Sequence, residues 1–135
     1  MFRKIRLLTF ALIMNTLPSL AQSGLVFDRP TWDFGTIRET DGPVTHRFVC
    51  RNEGEHPEVI LQVTTTCGCT TPRYTRKPIL PGEETEITVT YDPANRPGNF
   101  SRELAVFTAD RRIAAKLRIT GSVIGRPKTL EELYP

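Results

Sequence analysis

Apolar and polar residues alternate with a period of two along most of the chain. In "VTHRFVC", Val44, His46, Phe48 and Cys50 fall on one face, with Thr45, Arg47 and Val49 on the other. "VILQV" sets Val59, Leu61 and Val63 inward, and "TEITVTYD" sets Thr85, Ile87, Val89 and Tyr91 against Glu86, Thr88 and Thr90. "RELAVFT" offers Leu104 and Val106 inward, and "RIAAKLRITGSV" offers Ile113, Ala115, Leu117, Ile119 and Val123. Successive side chains of an extended strand point to opposite faces, so each run predicts a half-buried β-strand. "LVFDRPTWDFGTI" adds two short strands broken at Pro30. Between the runs lie turn words: "DGP" at 41–43, "NEGEHPE" at 52–58, "LPGEE" at 80–84 and "DPANRPGN" at 92–99. Beyond the first residues, helical character appears only in "TLEELY", where Thr129 and Glu132 have capping-box spacing.

About seven short strands with regular turn signals predict an all-β domain. The expected architecture is an antiparallel β-sandwich of immunoglobulin-like type over residues 25–124, with residues 125–135 as a linker or tail. The antibody-type pin, two distant cysteines bracketing a core tryptophan, is not expected. Trp32 precedes every cysteine, and Cys50 stands only 17 positions before Cys67.

The first residues break the period. Arg3, Lys4 and Arg6 precede the apolar run Leu7–Met14, and Pro18 and Ser19-Leu20-Ala21 follow. A basic start, a short apolar run and small residues at the exit describe a cleavable signal helix over residues 1–21. This predicts an exported chain, periplasmic or secreted, with no transmembrane span after cleavage. It also changes the charge. Of 18 basic residues three lie in the signal, which leaves 15 against 15 acidic ones and a formal charge of zero. A nucleic-acid partner, which needs a basic footprint, is therefore not expected.

Five words occur in order: "WDFGTI" (32–37), "GPVTHRFVCRNEG" (42–54), "VTTTCGCTTP" (63–72), "PILPGEETEITVTYDP" (78–93) and "RPGNFSRELAVFTAD" (96–110). Together they resemble a bacterial family of exported domains of unknown function, over about residues 25–124. The family's pattern runs Asp-Phe-Gly, Asn-x-Gly, Ser-Cys-Gly-Cys-Thr, Pro-Gly, Tyr-Asp and Gly-x-Phe, and Thr66 stands here where the family has serine. The family is similar to the Hydin-type and major-sperm-protein immunoglobulin-like domains, which are interaction modules. What the resemblance implies is fold and export.

Candidate chemistry is sparse. Asp33-Phe34-Gly35 spells the kinase magnesium motif without a catalytic or glycine-rich loop, and reads instead as a strand ending on a core phenylalanine. His46 shares a face with Phe48 and His56 sits in a polar loop, and no nucleophile or carboxylate pair has a recognisable setting. No enzyme is expected.

Cys50, Cys67 and Cys69 leave four readings open. Cys67 and Cys69 bond to each other, closing a loop that restricts the unfolded chain by only roughly 1–2 kcal/mol. Alternatively, Cys50 bonds to one of them across about 17 residues, an effect of roughly 3 kcal/mol. A third reading has the pair clamp a soft ion, Cu(I) or Zn(II), with Cys50, His46 or His56 as a further ligand. The fourth is inert packed thiols. Arg73, Arg76 and Lys77 would favour a thiolate if they fold back over it. The expectation is thus a monomeric, non-catalytic binding module with no required cofactor, whose partner is another protein or envelope component. The rival is a thiol-dependent metal or redox protein built on Cys67 and Cys69.

Overall fold

The computed structural model describes residues 23–135, and the expected signal segment lies outside them. Eight strands form: β1 (Leu25–Phe27), β2 (Thr31–Arg38), β3 (Val44–Asn52), β4 (Ile60–Thr65), β5 (Thr70–Arg73), β6 (Glu84–Tyr91), β7 (Gly98–Thr108) and β8 (Ile113–Ile124). They make two four-stranded sheets, ordered β1-β3-β6-β5 and β2-β8-β7-β4. The molecule is an all-β sandwich. Two features differ from the expected antiparallel pattern of about seven strands. β2 pairs with β8 in parallel, because the chain crosses from one sheet to the other at Asp28–Pro30 and continues in its original direction. β5 is an additional strand, formed from residues just after the cysteines.

Alternation places one apolar face of each sheet against the other. Phe48, Ile87, Val89 and Tyr91 from the first sheet meet Leu104, Val106, Leu117 and Ile119 from the second, all at most 1% exposed. Tyr91 stacks on Phe100 with ring centroids 3.9 Å apart. Gly121 is required beside that pair, since a Cβ there would lie 2.6 Å from the Phe100 ring.

Three expected positions move. Ile60 rather than Leu61 enters the core, and Leu61 is 44% exposed, because a bulge between Ile60 and Gln62 shifts the register on β7. Ile113 is 52% exposed: it opposes Phe107 beyond a second bulge, where the hairpin outruns the opposing sheet. The Asp-Phe-Gly strand does not end at Phe34. Gly35, at φ +70°, makes a bulge and the strand continues, so the inward residues are Trp32, Phe34 and then Ile37.

The sandwich ends are tied by side chains. Asn52 is fully buried; its Nδ2 donates to His56 O and Ile79 O, both at 2.8 Å, and its Oδ1 accepts from Gly54 N–H at 2.9 Å. At the other end the Glu39 carboxylate accepts from Asn95 N–H at 2.7 Å and Arg126 N–H at 3.0 Å, which lowers its pKa. A short helix α1 (Leu130–Leu133) forms with both halves of the capping box at Thr129 and Glu132. Arg126 pairs with Glu132 and holds its carboxyl down at about 2. The tail is thereby anchored to the domain. Among the described residues no helix is long and apolar enough to cross a membrane.

Candidate functional site

Two places carry features beyond packing. One is the turn between β4 and β5, two edge strands belonging to different sheets. The threonine run extends β4 to Thr65; the chain then turns through Cys67-Gly68-Cys69 and enters the other sheet at Thr70. Cys67 and Cys69 are joined by a disulfide, with Cα atoms 5.2 Å apart. Their settings differ. Cys69 is 4% exposed and its sulfur lies 3.5 Å from the Thr70 hydroxyl. Cys67 is half-buried, and its sulfur accepts the Cys69 N–H at 3.2 Å. Space above Gly68 is open, with nothing within 4 Å of an added Cβ. The turn is fastened independently of the sulfurs, by Thr70 N–H to Cys67 O at 3.2 Å and Asp92 N–H to Cys69 O at 2.8 Å.

Cys50 is not part of this group. It opposes Thr85, whereas Thr70 opposes Tyr91. Those rows lie six positions apart along β6, about 20 Å of strand, while a disulfide needs Cα atoms within about 7 Å. Cys50 is a buried free thiol, and burial pushes its pKa up to about 11. His46 lies apart as well, and His56 is exposed in its loop. Among the described residues no three His, Cys, Asp or Glu side chains are grouped as metal ligands. Of the basic residues following the turn, Arg73 is exposed on β5 and Arg76 lies over the Tyr74 ring at 6.0 Å.

The second place is the opposite side of the sandwich. β1 covers β3 only at Cys50–Asn52, which leaves the outer edge of residues 44–49 without a strand partner among the described residues. The direction of the free groups follows from register. Asn52 N–H donates to Glu83 O, beyond β6, and the β3–β6 pairing runs without a shift. In an antiparallel ladder the N–H and C=O of one residue point to the same side, and alternate residues point to opposite sides. Those of Thr45, Arg47 and Val49 therefore face the open edge.

Beside that edge Trp32 stacks on His46 with centroids 4.1 Å apart and planes within 6°, and His46 meets Phe48 edge-on at 4.7 Å. Burial lowers the His46 pKa. These rings, with Asp28, Arg29, Arg47 and Val49, line a concavity of about 280 Å³. Sequence reasoning named His46 but missed Trp32 as its partner. It missed the edge entirely, because alternation reports which face a residue takes and not where the neighbouring strand stops.

The sandwich has relatives among solved structures. It is similar to a protein of unknown function from Porphyromonas gingivalis W83, at 19% identity and TM-score 0.63, over 82% of this chain and 51% of that one. The VesB protease of Vibrio cholerae is matched at 17% identity and TM-score 0.61, over 73% of this chain and 32% of the other. The YadV chaperone is matched at 12% and 0.53, over 78% and 55%. This chain thus spans about half of the first of those proteins and a third of the second, and the likeness is one of fold. No curated protein sequence matches it. The family described as "Protein of unknown function (DUF1573)" matches residues 25–123, most of the length, and the chain belongs to that family.

Proposed function

We propose that this chain is an exported, non-catalytic binding module that takes an extended segment of another protein along the open edge of β3. The observation that carries the reading is the row of outward backbone groups at Thr45, Arg47 and Val49, next to the Trp32–His46 concavity. Strand addition draws affinity from main-chain hydrogen bonds and specificity from pockets beside the edge. The other edges are less receptive. β5 carries Pro72, β4 and β2 carry bulges, and β1 has three residues, all devices that blunt an edge. The strand order supports an immunoglobulin-like kinship. β1, β3, β6 and β5 take the places of strands A, B, E and D, and β4, β7 and β8 those of C, F and G. Export is supported by the signal-type first 21 residues and by a disulfide of the kind that persists in oxidising compartments.

The test is a Val49→Pro variant. Proline removes only the outward donor and leaves the β3–β6 ladder intact. Capture of an envelope partner by the purified domain is lost in the variant, and amide exchange at Thr45 and Arg47 slows when the partner binds the parent. A partner held equally well by both proteins would sink the reading.

A further inference from the structure

The geometry points to a second activity: the Cys67–Cys69 disulfide is a thiol–disulfide exchange site that accepts two electrons from a dithiol, with Cys67 carrying the mixed disulfide. This goes beyond edge binding and does not depend on it.

Four observations support the assignment. Only Cys67 is within reach of an incoming thiolate, because Cys69 is 4% exposed and Gly68 leaves the approach clear. Such asymmetry between an accessible and a buried sulfur settles which one is attacked. The turn also keeps its shape without the bond, through the hydrogen bonds of Thr70 N–H and Asp92 N–H to the two cysteine carbonyls. Both sulfurs have a donor ready for the reduced state, the Cys69 N–H at Cys67 Sγ and the Thr70 hydroxyl at Cys69 Sγ. Finally, β4 leaves β7 at Thr65 opposite Leu104. The next inward-facing residue of β7 toward the turn is Arg102, whose Nη1 donates to Ser101 O at 3.1 Å while its buried Nε has no hydrogen-bond partner among the described residues. A cation placed on that side lowers the cost of a thiolate.

The step balances as follows. A thiolate of the dithiol attacks Cys67 Sγ, forming a new S–S bond; the Cys67–Cys69 bond breaks, and its electron pair leaves on Cys69 Sγ, which takes a proton. The second thiolate of the dithiol attacks its own sulfur in the mixed disulfide and releases Cys67 as thiolate, which is then protonated. The dithiol ends as a disulfide and the protein as two thiols. By microscopic reversibility Cys67 is also the nucleophile when the pair is reoxidised by a disulfide.

The experiment uses the purified protein carrying Cys50→Ser, exposed to dithiothreitol or glutathione, acid-quenched and mapped by mass spectrometry. In the otherwise intact pair the trapped glutathione adduct sits on Cys67. With Cys69→Ser added, Cys67 reacts with oxidised glutathione at least tenfold faster than Cys69 does when Cys67→Ser is added instead. Arg102→Gln in the Cys69→Ser background moves the midpoint of the pH–rate profile upward, and Arg102→Lys restores it. Equal rates at the two sulfurs would overturn the assignment. So would a pair that resists millimolar thiol until the domain unfolds, as monitored by circular dichroism in the same samples. An unmoved profile in Arg102→Gln removes Arg102 from the site.

Discussion

Among the described residues the chain passes between its two sheets five times, and the two passages that join one edge strand to another are closed by different means. At Asp28–Pro30 the chain leaves β1 for β2, and the gap beside β3 is filled by aromatic packing, Trp32 on His46 and His46 against Phe48. At Thr66–Cys69 it leaves β4 for β5, and the closure is a covalent bond plus two backbone hydrogen bonds. The first crossing contributes to the core and leaves an edge unpaired. The second sets Cys69 and Thr70 into the core, 4% and 3% exposed, and leaves Cys67 half-buried. The unpaired edge and the disulfide thus lie on opposite sides of one sandwich.

That contrast can be broken from either side. Phe48 is 1% exposed, and Phe48→Ala should cost about 3–5 kcal/mol in denaturant unfolding. Cys67→Ser with Cys69→Ser should cost only roughly 1–2 kcal/mol, because the loop it opens is so short. A double variant that fails to fold would show the covalent crossing to be the structural one. Val49→Pro should stay within about 1 kcal/mol of the parent, since Val49 is half exposed and its N–H faces outward.

The smallest expected effect concerns pH. Burial holds the His46 pKa below 6.5, so below that value the unfolded chain takes up the proton first, and stability falls as pH drops. Asp28, Arg29 and Arg47 share its concavity. The lowered carboxylates Glu39, Asp110 and Glu132 have ordinary values of 4.5, 3.8 and 4.5 and act only in a more acid range. Thermal melts between pH 7 and pH 5 should show the slope in the parent and lose it in His46→Phe.

Much of the framework was legible in the residues. β3 and β6 read correctly position by position, because both run without a bulge and alternation survives intact. β4 and β2 misled, because one extra residue at Ile60/Gln62 and one at Gly35 reverse the phase that alternation assumes. The "CGCT" word correctly marks the end of a strand, yet the pairing of its cysteines was open. Which sulfurs meet depends on how far along β6 the two neighbouring strands attach, a long-range register that local sequence does not encode. Arg102 and the edge of β3 escaped for the same reason. Each acquires meaning only from where another strand ends.

The parallel ladder between β2 and β8 sets the order in which this domain can assemble. Among the described residues, residues 31–38 pair only with residues 118–124, so during synthesis the backbone of β2 stays unpaired until the last strand arrives. Such distant pairing slows folding and prolongs the life of sticky half-formed chains. A nascent molecule halted before residue 118 would therefore expose β2 as an unpaired edge open to aggregation.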